Sequence, residues 1–112
     1  MTNSLFNEVR LFGRISKQKV HNETTTFIDV AVKEDYKDKD GNWVNKSVFV
    51  PVVCFQNEAK RAAKFQVGDE IMVRGHITIR TEKENDKIVN SSVQVVADDF
   101  TFNSRPKKDE QK

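Results

Sequence analysis

Cysteine, proline and glycine are scarce in this chain, and it has no long hydrophobic run. Cys54 is the single cysteine among 112 residues, which excludes an internal disulfide and any multi-thiolate zinc site. It lies in an apolar stretch, the ordinary setting of a buried thiol. No stretch approaches the roughly 20 apolar residues of a membrane-spanning helix. The opening MTNSLFNEVRLFG lacks the basic, apolar and small-residue regions of a signal peptide. The expectation is a soluble cytoplasmic protein without a membrane partner. An excess of one charge is missing too: residues 1–102 carry 15 Lys/Arg and 15 Asp/Glu, and the net +2 comes from Arg105, Lys107, Lys108 and Lys112 against Asp109 and Glu110. A nucleic-acid partner therefore requires the basic groups to be gathered on one face.

Catalytic and metal signatures are also lacking. His21 and His76 are far apart, and neither has metal-ligand spacing to a cysteine or to the other. The chain contains no GxxxxGK[ST], GxSxG or HExxH. DYKDKDG resembles the opening of a calcium loop but lacks the closing glutamate and the flanking helices. The chain reads as a non-enzyme with no cofactor and no metal.

What remains is mostly strand. With 37% hydrophobic residues, the chain suffices for one domain and one core. Residues 5–15 alternate, with Val9, Leu11, Gly13 and Ile15 inward and Arg10, Phe12 and Arg14 outward, Gly13 marking a bend or bulge. In a second strand, Phe27 to Lys33, Ile28, Val30 and Val32 face the core, and Phe27, Asp29, Ala31 and Lys33 face away. EDYKDKDGNWVNKS follows as a charged hairpin arm turning at Asp40-Gly41. A third strand, VFVPVVCF, places Phe49, Pro51, Val53 and Phe55 on one face, with Pro51 implying an edge or a bulge. NEAKRAAKFQVGD predicts one short helix with Asn57 as N-cap, an Ala59, Ala62, Ala63 stripe and Gly68 as its stop. The fourth strand, from Glu70, turns Ile71, Val73, Gly75, Ile77 and Ile79 inward and Met72, Arg74, His76, Thr78 and Arg80 outward. A polar loop, TEKENDK, precedes a fifth strand from Ile88 to Ala97, and residues 98–102 close the domain.

Five strands with one helix between the third and fourth is the order of the OB-fold, an all-β, five-stranded Greek-key barrel. The expected domain is residues 1–102, and residues 103–112, without apolar content, form a disordered basic tail. The aromatics Tyr36, Trp43, Phe49 and Phe55 are interleaved with Lys33, Lys37, Lys39 and Lys46. Such a mixture suits single-stranded nucleic acid, because rings stack on unpaired bases while lysines track phosphates. The bland alternative is that strand aromatics enter the core and the charged arm is a solvated loop. Arg14, Arg74 and Arg80 point outward as phosphate contacts or as plain surface charge.

The chain resembles the bacterial single-stranded DNA-binding protein family over residues 4–102. SLFNEVRLFGRISK is similar to the family's first strand, with Asn7, Val9, Leu11, Gly13 and Ile15 in pattern. FVPVVCFQNEAKRAAKFQVGDEIMVRGHI is similar to its central block, with Phe55, Ala59, Gly68, Val73 and Gly75 in place, and SVQVVADDFTF to its closing strand. The resemblance implies stacking roles for Tyr36, Phe49 and Phe55; Trp43 is an addition in the arm. The family's stacking tryptophan after the fourth strand has no counterpart, since Glu82 or its neighbour falls there. The implied protein binds single-stranded DNA, with RNA as an option, as a homotetramer or dimer in replication, recombination or repair. Family members usually end in an acidic Asp-Asp-Asp-Ile-Pro-Phe tip that recruits partners, whereas this chain ends in KKDEQK. That implies truncation, or a phage, plasmid or mobile-element relative. Two alternatives stand beside it: an adaptor like the dimeric primosomal replication protein, and an OB-fold that binds protein rather than DNA.

Overall fold

The computed structural model describes residues 6–106; Leu5 at the head of the expected first strand, and the tail beyond 106, lie outside the described residues. The strands are β1 (Val9–Asn22), β2 (Thr25–Lys33), β3 (Tyr36–Lys37), β4 (Trp43–Val44), β5 (Ser47–Phe55), β6 (Glu70–Glu84) and β7 (Lys87–Ser104), with helix α1 (Asn57–Lys64) between β5 and β6. β1, β2, β5, β7 and β6 form, in that order, a closed barrel, and β3 and β4 form a separate two-stranded arm. All barrel pairings are antiparallel except β5 with β7. This is the five-stranded OB barrel expected from the element order.

Period-two alternation builds the core. Ile15, Ile28, Val30, Val52, Cys54, Ile71, Val73, Val95 and Phe100 meet inside the barrel, and Ala59 and Ala62 of α1 complete the cluster. Burial pushes the Cys54 thiol up to about 12, with the nearby Glu58 carboxylate adding to the effect. Closure brings backbones into contact: a Cβ on Gly13 would run into the carbonyl oxygen of Ala31, and one on Gly75 into that of Val96. The register shifts between Arg74 and Gly75 at this crossing, where β7 carries Asp98 as an extra residue.

Several local expectations change. β1 runs on to Asn22 through a bulge between Ile15 and Lys17, which the polar stretch KQKVHN conceals. Asn57 is the first helical residue rather than the N-cap; Gln56 stands there with φ 55° and no side-chain cap. The helix stops at Lys64, before Gly68. Its terminal carbonyls are met from β1, where the Gln18 amide donates to Ala62 O at 2.6 Å and Phe65 O at 2.7 Å. Ala63 is exposed, unlike Ala59 and Ala62. Gly68, at φ +99°, shapes the turn into β6. Pro51 lies just outside the parallel ladder, which joins β5 to β7 only at Val52 and Val53, so its missing N–H breaks no bond on that side.

TEKENDK is strand rather than loop. β6 and β7 continue as a hairpin to Glu84 and Lys87, closed by Asn85 and Asp86 at φ 51° and 66°, the left-handed pair of a type I′ turn. β7 reaches Ser104, and the Arg105 guanidinium then pairs with the fully buried Asp69 at 2.9 and 3.0 Å. Asp69 also accepts the Gln66 N–H. Chiefly through Arg105, its carboxyl is held below the ordinary value.

Candidate nucleic-acid interface

The outer wall of β1, β2 and β5 is written by the ladder. Cross-strand partners share a face, so the wall reads Arg14, Ala31, Phe49 in one row and Lys17, Asp29, Pro51 in the next. Lys19, Phe27 and Val53 follow, and Thr25 with Phe55 ends it. Phe49 is 63% exposed and Phe55 44%, and their separation of six positions spans about 20 Å of strand. Val53, although on Phe49's face by alternation, is buried between Phe27 on β2 and Val96 on β7.

The β6–β7 hairpin borders this wall. Arg80 brings its guanidinium to 6.0 Å from the centre of the Phe27 ring, the reach of a cation–π contact. His21 meets the same ring edge-on at 6.1 Å. Lys17, Lys19 and Arg80 have no ion pair among the described residues, so their charge is available to a ligand. Phe27, Lys17 and Lys19 are wall residues that the sequence reading passed over. The outward parity of Phe27 was a usable signal; the position of Lys19 was hidden, because the bulge resets the parity of β1.

The arm residues divide. Tyr36 pairs with Val44, and Lys37 with Trp43. Neighbours in a strand alternate faces, so Tyr36 and Trp43 point to opposite sides of the arm. Lys37 lies 5.4 Å from the Trp43 ring centre. Asp38 shapes the tip, accepting the Asp40 and Asn42 N–H groups at 2.9 Å. Gly41 turns there at φ +83°. The arm's lysines are partly spent within it: Lys33 lies 3.8 Å from Asp35, and Lys46 3.5 Å from Glu34. Lys39 is exposed at the tip.

The other two arginines are engaged elsewhere. Arg14 donates to Gly68 O at 3.0 Å and lies 3.7 Å from Glu70, holding the turn into β6. Arg74 shares a row with Arg10 and Asp99 across β1, β6 and β7, away from the β2–β5 wall. The structure thus gathers Phe49, Phe55 and Arg80 on one wall, with Arg14 at its rim. It sets Tyr36, Trp43, Lys33, Lys37, Lys39 and Lys46 on or beside the arm and leaves Arg74 apart. Among the described residues, no group of three or more His, Cys, Asp or Glu could hold a metal ion, and no helix is long and apolar enough to cross a membrane.

A closed five-stranded barrel with rings on its second and third barrel strands, β2 and β5, and unpaired cations beside them on β1 and β6 belongs to the class of oligonucleotide- and oligosaccharide-binding folds. The model of the single-strand binding protein family matches residues 6–103, and the chain belongs to that family. Among solved structures it is similar to an SSB of Plasmodium falciparum in complex with ssDNA. There the TM-score is 0.73 at 19% identity, covering 93% of this chain and 100% of that one. A small single-stranded DNA-binding protein of Streptomyces coelicolor gives 0.60 at 17%, covering 91% and 96%. A deletion mutant of the single-stranded DNA-binding protein of Thermus aquaticus gives 0.65 at 21%, covering 88% of this chain and 50% of that one. At these identities the likeness establishes the fold. No curated protein matches the sequence.

Proposed function

We propose that this protein binds and coats single-stranded DNA with little sequence preference, in replication, recombination or repair. One observation carries the reading: the exposed rings of Phe49 and Phe55 share a wall with Phe27 and with the unpaired cations Lys17, Lys19 and Arg80. Rings on such a platform stack on successive bases, and cations beside them hold phosphates. Family membership supports the ligand class, as does the ssDNA in the Plasmodium complex. Tyr36 and Trp43 extend the platform from either side of the arm. RNA is a competitor on such a platform, since stacking does not read the 2′-hydroxyl.

The chain works in this reading as a homotetramer, with β1 pairing across a dimer; Phe12, Met72 and Phe102, all exposed, supply apolar surface on the barrel outside the platform. The self-paired charges of the arm favour a second reading, an adaptor that recognises protein. Titration of Trp43 fluorescence with dT oligonucleotides at two salt concentrations separates them. The DNA-coat reading expects tight binding that weakens with salt. Replacing the exposed Phe49 and Phe55 by alanine should cost about 1–3 kcal/mol for each stacked base without moving the melting temperature. Absence of binding at low salt, or an affinity indifferent to both substitutions, overturns the stacking assignment and favours the adaptor.

A further inference from the structure

The wall proposed for single-stranded DNA carries one group of the wrong sign. Asp29 stands on the outer face of β2, opposite Lys17 on β1 and Pro51 on β5. Its carboxylate is half-buried and has neither an ion pair nor a hydrogen bond among the described residues. A carboxylate set into a phosphate-binding wall repels every strand that crosses it, unless the strand presents a hydrogen-bond donor.

The surroundings supply the rest of a nucleotide site. Lys19, His21, Phe27, Asp29, Arg80 and Gln94 line one hollow, with Arg80 over the Phe27 ring and His21 at its edge. Residues two apart on a strand lie about 7 Å apart on the same face, so Asp29 sits beside the Phe27 ring at the distance of a stacked base's edge. An ionised carboxylate only accepts hydrogen bonds. Cytosine offers it the N4 amino group, as adenine offers N6 and guanine N1 and N2. Thymine and uracil turn two carbonyl oxygens towards it, on either side of a single N3–H.

We infer that Asp29 reads the edge of the base stacked on Phe27 and selects amino-bearing bases over thymine and uracil at that position. The selectivity rests on the proposed single-strand binding and adds a local preference to an otherwise permissive surface. Carboxylate acceptance from the cytosine amino group is an established mode of base discrimination.

Oligomers of dC and dU test this, because the two bases differ only at the edge facing Asp29. Affinities are measured at pH 8 for the unaltered protein and for Asp29→Ala, whose melting temperature confirms its fold. The expected result is a dC preference of about tenfold, reduced to near parity in Asp29→Ala by tighter binding of dU. Equal affinities in the unaltered protein overturn the inference, as does a dC preference that survives the substitution. Failure of both proteins to bind either oligomer overturns the single-strand reading itself and removes the base selectivity with it.

Discussion

The two halves of β6 obey the same sequence rule with opposite outcomes. From Glu70 to Gly75 the strand alternates, and Ile71, Val73 and Gly75 are buried. Beyond Gly75 the apolar residues keep the same parity, yet Ile77 is 45% exposed and Ile79 56%. The paired β7 residue Val93 is exposed beside them. The first half faces a closed barrel, while the second half has left it as a free hairpin. A periodic pattern therefore fixes which side of a strand is apolar, and the topology decides whether anything covers that side.

That contrast can be broken most forcefully at its hinge. Gly75→Val would drive a side chain into the Val96 carbonyl and the Val95 side chain, and it should cost at least about 3 kcal/mol of folding stability, read as a shift of the urea midpoint. A smaller loss is expected from Arg105→Ala, which removes the cation from the buried Asp69. The folded carboxyl is held below its unfolded value, so the pair's contribution is present at neutral pH and is lost as pH falls through the depressed folded value. The gap in melting temperature between the two proteins should be widest near pH 7 and shrink in acid; a gap that does not depend on pH refutes the assignment. Smallest is Ile79→Thr on the free hairpin, expected within about 0.5 kcal/mol for an uncovered surface position. A clearly larger loss that depends on protein concentration would show that a second copy covers the distal face.

Most of the fold was legible because β2, β5 and the first half of β6 carry β-branched residues in strict alternation. What escaped had physical reasons. The bulge after Ile15 left no mark in a polar stretch, and it hid the placement of Lys19 on the wall. The turn at Asn85 and Asp86 lacks glycine, so seven polar residues read as loop although those on either side of the turn are paired across the hairpin. Phe49 and Phe55 were legible as outward rings. Phe27 was legible in direction but not in company, because Arg80 and His21 reach it from other strands. The opposed sides of Tyr36 and Trp43 depend on a ladder of only two residue pairs, which composition cannot reveal.

The buried, weakly acidic Cys54 has a practical consequence. Its thiol is shielded from solvent and carries almost no thiolate at neutral pH, so it should not react with maleimides or disulfide reagents while the barrel is folded. A cysteine placed on the arm tip or on the hairpin turn would then be the one modifiable thiol. Dyes or spin labels could follow each projection separately, with the native core left intact.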